Sequence, residues 1–139
     1  MEWIEIKSQT DISKLMDDFR GFHDSCISEW VYVTGMGVTD KKSMGCDSEN
    51  SYIKVVFQSQ GANPLEFCFE DINEVHIYDN GNYFNDIFAA AFFIEDEFIC
   101  WADDPGWDRK NSDKEITYIV CHKAKYRSFL EGAKGENQP

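Results

Sequence analysis

Nothing in this chain is apolar for long enough to cross a bilayer as a helix, which takes about 20 consecutive apolar residues. Basic residues are scarce as well, with 13 Lys and Arg against 26 Asp and Glu, for a net charge of −13. Such a surface repels nucleic-acid phosphates and anionic lipid, so neither is expected as a partner. Cysteine pairs are missing: the five cysteines are odd in number, widely spread and never in a C-x-x-C arrangement. The opening residues Met1-Glu2-Trp3-Ile4-Glu5 lack the basic and apolar regions of a secretion signal. The expectation is a cytoplasmic protein with reduced thiols.

Catalytic signatures are absent in the same way. There is no Gly-rich phosphate loop, no G-x-S-x-G elbow, no H-E-x-x-H and no cysteine pair at zinc spacing. No catalytic residue, metal ligand or cofactor is therefore assigned. Asp103, Asp104, Asp108, Asp113 and Glu115 crowd one stretch, but without the alternating spacing of a calcium loop.

What the chain has in quantity is aromatic mass, 11 Phe, 6 Tyr and 4 Trp in 139 residues, which argues for a real core. Ile12, Leu15, Met16, Phe19 and Phe22 recur at three- and four-residue steps, predicting a helix over 11–20 started by Thr10 or Asp11. Gly21 suits the left-handed residue that closes a helix. From Cys26 onward the pattern alternates, so Phe22-His23-Asp24-Ser25 reads as a helix-to-strand corner. Asp24 and Ser25 are expected to accept backbone N–H groups there, and His23 to bridge two segments.

Strands are expected over about 2–7, 26–34, 52–58, 65–70, 75–78, up to Ile94, 98–102 and 116–122. The last is apolar on both faces, as for a central strand. Residues 39–51 read as a long exposed loop, and Asp71-Ile72-Asn73 as a break. Asp79-Asn80-Gly81-Asn82 is a hairpin turn signal. Tyr126, Phe129 and Leu130 suggest a short C-terminal helix, beyond which 132–139 is a polar tail. The fold class is α+β: one domain over 1–131, a mainly antiparallel curved sheet or sandwich with an N-terminal helix.

The corner Phe22-His23-Asp24-Ser25, with the helix before it and Leu65-Glu66-Phe67-Cys68-Phe69-Glu70-Asp71-Ile72 after it, resembles small bacterial domains with an F-H-D-[AS] corner. Some of these are similar to immunity proteins of polymorphic toxin systems. The likeness covers the first half of the chain and implies a stoichiometric, non-catalytic binding role. With the negative charge, it points to a basic protein partner, such as a toxin domain to be neutralised. Asp103, Asp104, Trp107 and Asp108 are the candidate contacts, an aromatic on an acidic loop. The alternative is a small enzyme or ligand-binding domain with a cleft near His23, Asp24 and His122.

Overall fold

The computed structural model describes residues 2–47, 50–79, 86–110 and 115–128. In chain order the elements are β1 (Ile4–Ile6), α1 (Gln9–Asp18), a 3₁₀ turn (Arg20–Phe22), β2 (Ser25–Val33), β3 (Met36–Val38) and β4 (Met44–Cys46). There follow β5 (Tyr52–Ser59), β6 (Leu65–His76), β7 (Asp86–Ile87), β8 (Ala91–Glu95), β9 (Phe98–Ala102) and β10 (Tyr118–Ser128). No helix among the described residues is long and apolar enough to cross a membrane.

The helix begins two residues earlier than its apolar stripe predicts, because Ser8 caps it. The Ser8 hydroxyl accepts the Asp11 N–H, and the Asp11 carboxylate accepts the Ser8 N–H in return. Asp11 is thus the reciprocal partner in a capping box, with the cap itself on Ser8. The stripe behaves as expected: Ile12, Leu15, Phe19 and Phe22 are all buried, with Met16 packed beside them.

Among the described residues every strand pair is antiparallel. The main sheet runs in the order β7-β2-β5-β6-β10-β9-β8, with β1 also on β10. The long β10 is central, as its two-sided apolar character implies. It pairs with β6 along one side and with β9 and β1 along the other. β7 and β8 stand at opposite ends of this order yet are joined by residues 88–90 alone. Such a linker spans on the order of 14 Å at most. The sheet must therefore curl until its two ends almost meet, and a single curled sheet results where a two-sheet sandwich was the other option. Antiparallel twist supplies the curvature, sharpened by a register shift in β2 between Ile27 and Glu29.

Three stretches differ from expectation. The 39–51 segment is not all loop, since Met44–Cys46 pairs with Met36–Val38 as a separate two-stranded ribbon. Glycine at the centre of both strands hides their strand character. β6 does not break at 71–73. It continues to His76 through Asp71, whose φ is 54°, with Ser51 taking the Asp71 and Ile72 N–H groups. β10 likewise runs on through 123–128, where a C-terminal helix was expected to gather Tyr126. Lys123, Lys125 and Arg127 alternate with Ala124 and Tyr126, so the period is two. Phe129, Leu130, the 80–82 part of the hairpin turn and the 132–139 tail lie outside the described residues.

The curled sheet wraps one core. Phe22 sits at its centre, with ring centroids 4.9 Å from Phe19 and Phe57, 5.8 Å from Trp101, 5.9 Å from Phe67 and 6.1 Å from Phe92. Phe19 caps the C-terminus of α1 and the other four come from β5, β9, β6 and β8, so one side chain ties together most of the sheet. A smaller core lies on the outer side of β8–β10, where Ala91, Cys100, Ala102, Ile116 and Val120 pack under Trp107.

Candidate functional site

The helix-to-strand corner is built from unusual backbone. Arg20, Gly21 and Phe22 take φ of 57°, 63° and 63°, His23 returns to −63°, and Asp24 is again positive at 53°. A left-handed conformation costs a non-glycine residue roughly 1–2 kcal/mol, and most for a bulky one. Phe22 stays there because its buried ring has no other place to go. Around it the main chain is tied on both sides: Ala90 N–H donates to Gly21 O at 3.1 Å, and Gln60 N–H donates to Asp24 O at 3.1 Å.

The predicted corner residues divide their work differently from expectation. Ser25 donates its hydroxyl to Phe22 O at 2.6 Å instead of accepting a backbone N–H. Asp24 contributes its main-chain carbonyl, while its carboxylate faces solvent. His23 is exposed and rests on the ring of Phe88, 4.7 Å between centroids. Phe88 is itself 73 % exposed.

Two open grooves flank this corner. One, of about 490 Å³, is lined by Asp24, Ser25, Cys26, Gln58, Ser59, Gln60 and Asp86. The other, of about 350 Å³, is lined by Arg20, His23, Asp24, Gln60 and Gly61. They share Asp24 and Gln60. Two carboxylates that only accept, amides that do both, and one guanidinium make a lining suited to cationic or hydrogen-bonding groups. Gln58, Ser59, Gln60, Asp86 and Phe88 carry no signal in the sequence, because the ends of β5 and β7 reach the corner only through sheet pairing. His122 lies tilted against the Phe98 ring, 4.8 Å between centroids, and lines a different groove, with Glu5, Lys7 and Glu70. Among the described residues no group of three or more His, Cys, Asp or Glu is placed to hold a metal ion.

The acidic loop after β9 is engaged mainly within itself. Asp103 Oδ1 accepts Thr117 N–H at 3.1 Å, Asp104 Oδ1 accepts Gly106 N–H at 2.9 Å and Asp108 Oδ1 accepts Lys110 N–H at 2.9 Å. Burial raises the Asp103 carboxyl to about 6, against the lowering effect of the Thr117 hydrogen bond. Trp107 folds back onto the sheet. It is 4 % exposed and stacks on Tyr118 at 4.9 Å, which leaves a partner little of it to touch. Asp104 is half-buried and Asp108 exposed.

All five cysteines are free. Burial pushes the Cys100 thiol up to about 11 and the Cys121 thiol further still, so both remain protonated at neutral pH. Cys26 and Cys46 are exposed. Outside the loop, the outer face of β6 and β10 carries a charge ladder. Arg127 meets Glu66 at 2.6 Å, Lys125 meets Glu70 at 3.7 Å, and both cations lie over the Trp3 ring. No family model, curated protein or solved structure matches this chain.

Proposed function

We propose that this chain is a non-catalytic binding protein whose acidic exterior docks a basic protein partner, in the specific form of an immunity protein that neutralises a basic toxin domain. The observation that carries this reading is charge left facing outward. The net charge is −13, while the ion pairs among the described residues engage Glu5, Glu66 and Glu70. Asp17, Asp18, Asp24, Asp86, Asp96 and Asp108 are exposed. Complementary charge speeds encounter and fixes orientation more than it adds raw affinity. The groove that holds Asp24 and Asp86 offers a seat for a partner's Arg or Lys, with Phe88 beside it as an apolar contact.

The test is co-expression with basic toxin domains encoded beside its gene, followed by titration of the purified pair. Growth is expected to be restored, and affinity to fall as salt rises from about 50 to 200 mM. Neutralising Asp24, Asp86 and Asp108 together to Asn is expected to slow association at least tenfold. Protection that survives this triple change, with unaltered binding, removes the proposed surface.

The strained corner favours one second reading, a small-ligand or catalytic cleft at His23 and Asp24, because strained backbone concentrates at functional sites. Under it, His23→Ala abolishes turnover or ligand binding in a protein that still folds.

A further inference from the structure

Among the described residues the β3–β4 ribbon has no strand partner in the main sheet. Its register sets Met36 opposite Cys46, Gly37 opposite Gly45 and Val38 opposite Met44. Residues directly across share a face, and so do residues two apart. Met36, Val38, Met44 and Cys46 therefore lie together on one face, and the glycines between them present nothing on the other. Met36, Val38 and Met44 are 55, 65 and 80 % exposed. Val31, Tyr32 and Val33 of β2 lead into the ribbon, also exposed. A lone two-stranded ribbon is marginal in water, and an apolar patch of this kind marks an interface.

Charge decides what covers it. Between residues 34 and 47 the charged side chains are Asp40, Lys41, Lys42 and Asp47, which sum to zero. The whole chain carries −13. A basic partner is drawn to carboxylates and gains no attraction from a balanced ribbon. A second copy is repelled by most of the surface, and meets least opposition where the local charge vanishes. We infer that the ribbon is a self-association surface, on which two copies of this chain pack their methionine faces together about a two-fold axis. Each copy then offers the other the same patch, and the flexible thioethers fill the contact.

This inference stands apart from the proposed basic partner and responds to salt with the opposite sign. Salt screens repulsion between two acidic bodies, so the dimer tightens as salt rises, whereas a complex with a basic protein loosens. The experiment is sedimentation velocity of the full chain at low and high sodium chloride. Wild type is expected to shift from monomer toward dimer as salt rises. Val38→Glu with Met44→Glu is expected to stay monomeric with an unchanged circular dichroism spectrum. Lys41→Glu with Lys42→Glu leaves the apolar face intact while taking the ribbon to −4. It is expected to dimerise less at low salt and to recover at high salt.

A wild type that is monomeric at high micromolar concentration in all salts overturns the inference. So does a dimer that survives the Val38 and Met44 changes, or one that dissolves as salt rises. A monomer whose ribbon variants lose binding to a basic protein also overturns it, and gives the surface to that protein.

Discussion

Asp103 carries a single-residue cost that pH can reveal. Its carboxyl is raised by burial from an ordinary 3.8 to about 6. A carboxyl raised on folding binds its proton more tightly in the folded state, so its contribution is complete below about pH 3.8 and is lost as pH rises through about 6. Near neutral pH the ionised group is held partly out of water, and the backbone N–H groups of Thr117 and of Asp103 itself compensate only in part. Asp103→Asn keeps an oxygen for Thr117 and removes the charge. Chemical denaturation is expected to show the variant more stable at pH 7 by on the order of 1 kcal/mol, after discounting for solvent screening of a half-buried group. That advantage should vanish by about pH 4. An equal difference at both pH values would mean the charge is not the cause.

At the scale of elements, the corner between α1 and β2 concentrates both strain and packing. Phe22 is fully buried, left-handed and in ring contact with Phe19 and with residues of four strands. Phe22→Ala is expected to cost roughly 3–5 kcal/mol in urea titration, since the strands around it cannot all collapse into the space. Gly21→Ala has open room for its methyl but must hold φ at 63°, so about 1 kcal/mol is expected. If Phe22→Ala cost no more than Gly21→Ala, the hub assignment would fail. The F-H-D-S stretch is legible as a corner from the periodicity change alone. The grooves beside it are not, because their walls come from Gln58–Gly61 and Asp86.

For the whole molecule, the balance is between a well-filled curled sheet and its own negative charge. Self-repulsion at −13 weakens the compact state, most at low ionic strength. Adding sodium chloride is expected to raise the thermal midpoint by a few degrees, measured at submicromolar concentration where ribbon contacts are undone. A midpoint that falls with salt would show that the ion-pair ladder of Glu66–Arg127 and Glu70–Lys125 outweighs the repulsion.

Local pattern alone determined the α1 stripe, the corner, most strands and the central place of β10, because 3.6- and 2-residue periods are written in neighbouring residues. It also set the net charge of −13. Only tertiary structure decided that Trp107 turns inward, that β10 continues where a helix was expected, and that Met36, Val38, Met44 and Cys46 share one face. The physical reason is that these outcomes depend on register between strands distant in sequence, and on which apolar surface is already covered when a side chain arrives.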